Sequence, residues 1–390
     1  MVNSFQFART PKIFFKPGQV SALPGIISTF GAKIILVTGE KSFSNSRRSH
    51  DLFNSLKSNG TEISQVAISE EPSPEIIDKV VRELSDQSYD AVLAIGGGSV
   101  IDAGKAISAM MYKAESIVKY LEGVGSDNHP GTKLPVIAVP TTSGTGSEAT
   151  KNAVISMTGK GGFKKSLRHD NFVPEIALVD PELTLECPPD ITAASGMDCF
   201  TQLVEAYLSD IANNYTDALA LEGLKAIRSS LRKSVITGDD ITARTGMSFA
   251  ALTSGICLAN AGLGVIHGFA SSLGGLSKIS HGVICGTLMA AANKVNVKVL
   301  KKTSGNGHAK RKYVQLGKMF LDQEGHTDDY YIDGFVQYLE NLTYDLKLPK
   351  LSEYGLDEKD LEPVCRITEN KNNPVKLGQE ELMEIILSRF

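Results

Sequence analysis

Short apolar runs alternate with helical patterns through the first half of the chain. Between residues 74 and 85 the apolar positions recur at helical spacing, and a second helical pattern extends from about residue 100 to residue 111. Five apolar runs predict buried strands, at residues 33–39, 62–68, 89–95, 134–140 and 175–180. Strands that are separated by helices favour a parallel sheet with both faces covered.

The pattern changes after about Pro189, beyond which no convincing strand appears. Long helical patterns follow instead, the clearest at residues 190–209, 215–235 and 239–259. Farther along, the Gly274-Gly275 pair predicts a helix break between His267 and His281. A chain of 390 residues also exceeds what one hydrophobic core usually supports. We therefore predict an α/β domain over residues 1–187 and an all-α domain over residues 188–390.

The composition is that of an ordinary globular protein and narrows the possible functions. A net charge of −4 gives no indication of nucleic acid or of an anionic membrane as a partner. No apolar run reaches the length of a membrane span, and the N-terminus lacks the apolar core of a signal peptide. The five cysteines are odd in number, scattered and without a CxxC pair, which indicates reduced thiols and a cytoplasmic protein.

A glycine-rich loop lies between one of the predicted strands and the helix that follows it. It consists of Gly96, Gly97, Gly98 and Ser99. Glycines at this place let a phosphate approach the backbone at a helix N-terminus, where free N–H groups are available. Ile101 stands where a third glycine of the GxGxxG fingerprint would fall, so that fingerprint is absent and a simple glycine turn is the alternative.

A second loop follows the next strand, over residues 139–148, and offers many hydroxyl groups. Its hydroxyl residues are Thr141, Thr142, Ser143, Thr145 and Ser147. Two such loops at the carboxyl ends of two strands fit the rule for ligand crevices in open α/β sheets, so we expect both to bind a cofactor. Asp102 and Lys105 follow the first loop. They could form a surface ion pair or make polar contacts in the cofactor cleft, and we favour the second interpretation.

A possible metal site lies in the helical half. Asp198 and Gln202 are four residues apart and would share one face of a helix, and His267 and His281 follow downstream. A carboxylate, an amide oxygen and two imidazoles can hold one divalent ion. The alternative is that the histidines are hydrogen-bonded residues of the core, and glutamine is an uncommon metal ligand.

Taken together, these segments make the chain resemble the iron-containing, or group III, alcohol dehydrogenases. Matching segments cover nearly the whole chain in order: FFKPG (14–18), EEPSPE (70–75), AIGGGSVIDAGKA (94–106), VPTTSGTGSE (139–148), VPEIALVDPELT (173–184), PPDITAASGMD (188–198), EAY (205–207), HGFASSLGG (267–275), HG (281–282) and NNP (372–374). The resemblance implies the dehydroquinate-synthase-like fold, with an α/β NAD(P)-binding domain, an all-α domain and a metal in the cleft between them. It also implies that the two glycine loops bind the dinucleotide.

Two residues depart from the family pattern at the implied metal site. The family holds its metal with an aspartate and three histidines, which correspond to Asp198, Gln202, His267 and His281, so that one histidine is replaced by Gln202. Ser271 stands where family members often carry a histidine near the nicotinamide. We expect a weaker, exchangeable site for Fe²⁺ or Zn²⁺, with Gln202 binding through its carbonyl oxygen.

The choice between NAD and NADP rests on the end of the second predicted strand. An acid there would favour NAD by binding the ribose 2′-hydroxyl, but Gly39 occupies the place and Glu40 follows it. Nearby polar residues suited to a 2′-phosphate are Lys41, Ser42, Ser44 and Arg47. The sequence therefore predicts NAD(P) without choosing between the two.

The resemblance implies a metal-dependent oxidoreductase that acts on a primary alcohol/aldehyde pair, as a homodimer or larger homo-oligomer. Ser271 and Asp102 are candidate catalytic residues beside the ion. A polyol is a further candidate substrate. If Lys164, Lys165 and Arg168 approach the cleft, they favour an anionic substrate such as a sugar acid, a hydroxy acid or a phosphonate, and the alternative is a solvated basic loop. The alternatives are a metal-free reductase resembling maleylacetate reductase, a lyase or cyclase resembling dehydroquinate synthase, and a degenerate NAD(P)-binding protein.

Overall fold

The first half of the chain contains all the described strands. The structure is a computed structural model that describes residues 4–40, 43, 47–159, 162–277, 279–303 and 307–390. Of Arg47 and Arg48 only the backbone is described. The eight strands are β1 Lys12–Phe15, β2 Lys33–Gly39, β3 Glu62–Ile68, β4 Ala91–Gly96, β5 Val136–Pro140, β6 Asn152–Met157, β7 Phe163–Arg168 and β8 Ile176–Val179. Six of them form one parallel sheet in the order β1-β8-β5-β4-β2-β3, while β6 and β7 form an antiparallel pair.

Thirteen α-helices are described, four in the first half of the chain and nine in the second half. They are α1 Leu23–Ile27, α2 Arg47–Ser58, α3 Pro74–Leu84, α4 Gly98–Met110, α5 Pro189–Leu208, α6 Asn214–Ile236, α7 Ile241–Ala261, α8 Val265–Leu276, α9 His281–Lys302, α10 Gly307–Leu321, α11 Asp328–Asp345, α12 Glu358–Ile367 and α13 Gln379–Leu387. The first four lie in the α/β half, and the other nine form the helical half. The predicted fold class, a parallel α/β domain followed by an all-α domain, is confirmed.

The central strands are continuous apolar runs because both faces of the sheet are covered. Successive side chains of β2 point to opposite faces, so that Ile35 and Val37 join one core while Ile34 and Leu36 join the other. The first core is covered by α3, α4 and the β6–β7 pair, and the second by α1 and α2. The five predicted strands and the two predicted helices of this half are confirmed, with small differences at their ends.

Three strands lie outside the predicted set. β1 is an edge strand whose only partner is β8, and its residues are exposed or half-buried, so it lacks a buried apolar run. β6 and β7 pair over residues that include Lys164, Lys165 and Arg168. These three basic residues therefore lie on a strand and not in a loop, and the side chain of Lys164 is almost fully covered.

The helices of the second half surround one large hydrophobic core of their own. α5 packs against α6, α7 and α9, and most of its side chains after the second turn are buried. α9 is long and apolar enough to cross a membrane by length and composition, but 83% of its most apolar window is buried inside the protein. It therefore has the character of a core helix.

The helix break predicted between His267 and His281 is confirmed, since α8 ends at Leu276 and α9 begins at His281. The two glycines directly precede Leu276 and lie inside the helix. They also have a packing role, because a side chain on Gly275 would press against the backbone of Phe163, and one on Gly274 against Lys164. The pair therefore allows α8 to lie close to β7.

Gly104 provides the close approach between helix and strand that the missing GxGxxG fingerprint would have supplied. It lies in the middle of α4, and a Cβ atom added to it would be 2.6 Å from the Cβ of Ala94 on β4. No real Cβ contact is this short, so α4 can lie this close to the sheet only with glycine at position 104. Helix α4 begins at the glycine loop, and its position on the sheet therefore sets the position of that loop.

We predict that Gly104→Ala lowers the free energy of unfolding by about 1–3 kcal/mol, because overpacking at this contact outweighs the small gain in helix propensity. The measurement is chemical unfolding followed by circular dichroism. Gly25→Ala is the matched control, since Gly25 is also helical and a Cβ there meets nothing within 4 Å. Equal stability of Gly104→Ala and the parent protein would contradict this account of the contact.

Candidate active site

The point at which the strand order reverses lies between β2 and β4. β3 is on one side of β2, whereas β4, β5, β8 and β1 continue on the other side. In open α/β sheets the ligand crevice forms at the carboxyl ends of the two strands that flank such a point. Gly39 ends β2, and Gly96 ends β4 beside it, because Thr38 pairs with Ile95 in the ladder.

The two glycine and hydroxyl loops predicted to bind the cofactor lie against each other here. The backbone N–H of Thr141 donates to the carbonyl oxygen of Gly96 at 2.9 Å. A Cβ on Gly98 would be 2.7 Å from Cγ2 of Thr145, and a Cβ on Gly97 would be 3.4 Å from Oγ1 of Thr142. The contact between the loops therefore requires glycine at position 98, and it leaves the start of α4 facing the crevice.

The second loop also joins the sheet to the helical half. Gly146 has a φ of +60°, and a Cβ there would be 2.5 Å from backbone atoms of Ala251 and Gly255 on α7. The hydroxyl groups of Ser143 and Ser248 are 3.2 Å apart, which adds a polar contact to the same helix. The crevice is consequently closed on one side by the helical half.

Asp102 and Lys105 form a buried ion pair, with 3.2 Å between Oδ1 and Nζ. The Lys105 ammonium is fully covered and also donates to the carbonyl oxygens of Ser147 and Asn152. Asp102 accepts from the Ser147 hydroxyl and, at 3.0 Å, from the backbone N–H of Val154. The pair thus holds the second loop and β6 in place, and Asp102 still lines the cleft.

One cleft brings the cofactor loops and the predicted metal residues together. Its walls include Gly98, Ser99, Asp102, Thr145, Ser147, Lys164, Arg168, Gln202, His267, Ser271, His281 and Lys371. Thr141, Thr142 and Ser143 are close by on the second loop, while Gly39 lies at the end of β2. The residues proposed for a 2′-phosphate, Lys41, Ser42, Ser44 and the side chain of Arg47, are outside the described residues.

Three helices deliver the predicted metal residues to one buried point. Asp198 is on α5, His267 is in the first turn of α8, and His281 is the first residue of α9. Oδ1 of Asp198 lies 3.4 Å from Nε2 of His267 and 3.7 Å from Nε2 of His281. Cys285 on α9 joins this group, whose possible ligand atoms all lie within 4.8 Å of one another.

The residues at this point fit a divalent cation. Oδ1 of Asp198 is buried and has no hydrogen-bond partner among the described residues, although a buried charged oxygen is costly when it is left unpaired. Carboxylate, imidazole and thiol are all ligands that Zn²⁺ or Fe²⁺ accepts. Gln202 is also buried, and its Oε1 accepts from the Ser254 hydroxyl at 2.9 Å. A carbonyl oxygen has two lone pairs, so this hydrogen bond leaves one for an ion.

The electrostatics of Asp198 and His281 suit a metal, whereas His267 has to lose a proton before it binds one. Burial acts to raise the pKa of the Asp198 carboxyl, but His281 and His267 bring it below its ordinary value. Burial lowers the pKa of His281 to about 4, so this ring is neutral at pH 7 and keeps a lone pair for a cation. Burial also acts to lower the pKa of His267, yet Cys285 and Glu205 hold it well above its ordinary value.

Ser271 lies one helical turn after His267 and faces the cleft. Its hydroxyl donates to the carbonyl oxygen of His267 at 2.9 Å, a common bond for serine in a helix. Lys164 reaches the same cleft, where its ammonium pairs with Glu71 at 2.5 Å. Arg168 pairs at 3.3 Å with Glu122, and both of these side chains are about half exposed.

These features agree with the similarity of the chain to known proteins. The family described as iron-containing alcohol dehydrogenase matches residues 10–181. Residues 192–390 match the C-terminal part of the Fe-containing alcohol dehydrogenase family. The chain belongs to the iron-containing alcohol dehydrogenases. The resemblance seen in the sequence is thereby confirmed.

Relatives within this family show similarity over most of the chain. The NAD-dependent methanol dehydrogenase of Bacillus methanolicus is 34% identical over 68% of this chain and 69% of its own length. The NADPH-dependent butanol dehydrogenase of Clostridium saccharobutylicum is 28% identical over 97% of this chain and 96% of its own length. The solved structure of a 1,3-propanediol oxidoreductase superposes with a TM-score of 0.88 at 26% identity and covers 100% of both chains.

Two residues of this dehydrogenase's site were not predicted from the sequence. Glu205 is seven residues after Asp198, two turns farther along α5, and Cys285 is four residues after His281, one turn farther along α9. Helical spacing from a predicted ligand was the available signal for both. For Glu205 the spacing was not used, because the residue belongs to the EAY segment that marks the family. For Cys285 it was not used, because buried cysteines usually behave as small apolar core residues.

Glu205 orients His267. Its Oε2 lies 2.6 Å from Nδ1 of His267, and its Oε1 accepts from the backbone N–H of Ile266 at 2.7 Å. The second bond satisfies a free N–H group at the start of α8, whose N-cap residue is a glycine without a capping side chain. The carboxylate therefore fixes both the start of the helix and the ring that turns Nε2 toward Asp198.

We predict that Glu205→Gln weakens metal binding by about 10–100-fold, because the amide removes the negative charge that orients His267 and makes it a better ligand. The measurement is a competition titration of the purified protein with a chelator that reports free Zn²⁺. Glu222→Gln is the control, since Glu222 is an exposed acid on α6 that pairs only with Lys225. Unchanged affinity in Glu205→Gln would mean that Glu205 has only a structural role.

Proposed function

We propose that this chain transfers a hydride between NAD(P) and a primary alcohol/aldehyde pair at a divalent metal ion, Fe²⁺ or Zn²⁺. The observation that carries the proposal is the convergence of Asp198, His267 and His281 around one buried point in the cleft that the two cofactor loops line. Gln202 faces the same cleft and offers its amide oxygen as a further ligand. When bound there, a divalent ion acts as a Lewis acid on the substrate oxygen.

The roles of the protein residues follow from their positions. The start of α4 and the second loop hold the dinucleotide phosphates, because free N–H groups and hydroxyls line the crevice at that point. Asp102 keeps the second loop in place through its bonds to Ser147 and Lys105. Ser271 hydrogen-bonds the substrate or the nicotinamide from the side of the cleft that carries His267.

The domain division supports this assignment. We propose a cofactor-binding domain over residues 1–187 and a metal-binding domain over residues 188–390, because the last strand of the sheet ends at Val179 and α5 begins at Pro189. The first family match ends at residue 181 and the second begins at residue 192, close to this division. We further propose that the enzyme is cytoplasmic and works as a homodimer or larger homo-oligomer.

The structure offers support for both forms of the cofactor. Gly39 at the end of β2 presents no carboxylate that would repel a 2′-phosphate, whereas the next residue, Glu40, is exposed and can accept from a ribose hydroxyl. The relatives include one named as NAD-dependent and one named as NADPH-dependent. The proposal is accordingly NAD(P).

An anionic substrate is a second candidate within the same reaction. Lys371 lies in an exposed turn at the cleft, and the structure gives its ammonium no hydrogen bond or ion pair among the described residues. Arg168 lies on the cleft wall and is held only by its half-exposed pair with Glu122. These two cations favour a sugar acid or a similar anion, whereas Lys164 is already neutralised by Glu71.

We predict that removing the metal from the purified protein lowers NAD(P)H turnover by a factor on the order of 100 or more, because the substrate oxygen loses its electrostatic stabilisation. The protein is analysed for Fe, Zn, Ni and Mn and assayed with aldehydes and sugar acids before chelation, after chelation and after addition of Fe²⁺ or Zn²⁺. His281→Ala should lose both metal and turnover. His326→Ala is the control, because this exposed histidine lies far along the chain from the cluster.

Two outcomes of this experiment favour other functions. Steady turnover without metal would support a metal-free reductase resembling maleylacetate reductase. If the parent protein has neither metal nor turnover and Gln202→His gains both, the chain is a degenerate enzyme that kept its cofactor fold. Turnover that depends on metal and is lost in His281→Ala would support the proposed function.

A further inference from the structure

Cys285 lies close enough to the proposed ion to bind it, although a thiol differs from the carboxylate and imidazole groups of the other ligands. Its Sγ is 3.7 Å from Nε2 of His267 and 3.7 Å from Nε2 of His281. These are the same two nitrogen atoms that face Oδ1 of Asp198. The four side chains therefore point toward one common centre from three helices.

The spacing between these atoms matches that of ligands around a single ion. A tetrahedral Zn²⁺ with bonds of about 2.3 Å to sulfur and about 2.0–2.1 Å to nitrogen places the sulfur and nitrogen about 3.6 Å apart, and an oxygen and nitrogen about 3.3 Å apart. The structure has 3.7 Å for both sulfur–nitrogen distances, and 3.4 Å and 3.7 Å for the oxygen–nitrogen distances.

The surroundings of Cys285 support the same conclusion. The residue is fully buried, and its position one turn after His281 puts both side chains on the same face of α9. Oδ1 of Asp198, which is also buried, has no hydrogen-bond partner among the described residues and points into the same group. A buried carboxylate oxygen that has no hydrogen-bond partner and lies beside two imidazoles and a thiol is the arrangement expected of a cation site.

We propose that Cys285 binds the metal as a thiolate, so that the ion is held by Asp198, His267, His281 and Cys285. This inference rests on the proposed function, since it concerns the same ion. The metal displaces the thiol proton, which leaves for solvent, and no oxidation or reduction takes place. Cys285 thereby supplies the fourth strong ligand at a site where Gln202 offers only a neutral amide oxygen.

The position of the thiolate also determines which side of the ion is open. Gln202, His267 and His281 line the cleft, whereas Asp198 and Cys285 lie behind them on the buried side. The substrate oxygen would therefore have to add as a fifth ligand from the side of Gln202, and the sulfur would stay away from the reacting atoms. A thiolate together with imidazoles shifts the preference of the site toward Zn²⁺ and away from harder cations.

The test is the absorption spectrum of the full-length protein after its metal is replaced by Co²⁺, with cobalt content measured on the same sample. A cobalt–thiolate bond gives a strong near-ultraviolet charge-transfer band that imidazole and carboxylate ligands do not give. We expect one Co²⁺ per chain with this band. In Cys285→Ser the band should disappear, and the affinity for Zn²⁺ should fall at least about tenfold.

Cys365→Ser is the matched control, because Cys365 is equally buried but lies on α12, outside the metal group. It should keep both the band and the affinity. If Cys285→Ser does not fold, the parent protein alone still decides the matter through its spectrum. One Co²⁺ per chain without the band would overturn the thiolate inference and leave the proposed metal site intact. Failure to bind Co²⁺, Zn²⁺ or Fe²⁺ would overturn both.

Discussion

Two carboxylates buried in the core of the helical half set the constraint on which the site depends. Asp198 and Glu205 are on the same helix, and both are almost fully covered. Charges taken out of water are costly unless they are paired or coordinate a metal. Glu205 is satisfied by His267 and by the start of α8, whereas one oxygen of Asp198 is left for the centre of the cluster. The fold thus places α5, α8 and α9 around a charge that a cation can balance.

The cofactor side depends on short distances between backbones rather than on charge. Gly98 and Gly146 allow the second loop to contact both α4 and α7, and Gly104 allows α4 to lie close on the sheet. The Asp102–Lys105 ion pair also fixes this loop, because Lys105 donates to the carbonyl oxygen of Ser147. The same loop therefore joins the crevice at the strand ends to the helical half, and Gln202, His267 and His281 line the same cleft.

Much of this arrangement could be predicted from the sequence, because apolar periodicity reports which faces are buried. Five strands of the main sheet and the first three helices of the helical half follow from that pattern. β1 could not be found in this way, since its four residues are exposed or half-buried and give no buried apolar run. The Gly274-Gly275 pair marked the end of α8, but its close packing on β7 could not be seen in the sequence. The meeting of Asp198, His267 and His281 was expected from the family pattern. The contributions of Glu205 and Cys285 depend on how three helices are arranged in space, which spacing within one helix does not specify.

The central claim is that one ion lies among Asp198, His267, His281 and Cys285. The most direct measurement is X-ray diffraction from crystals of the Zn²⁺-loaded protein, with anomalous data collected on both sides of the zinc absorption edge. We predict one anomalous peak per chain, with bonds of about 2.0–2.2 Å to the oxygen and nitrogen ligands and about 2.3 Å to Sγ of Cys285. A fully occupied zinc peak elsewhere in the protein, or none under saturating Zn²⁺, would contradict the account.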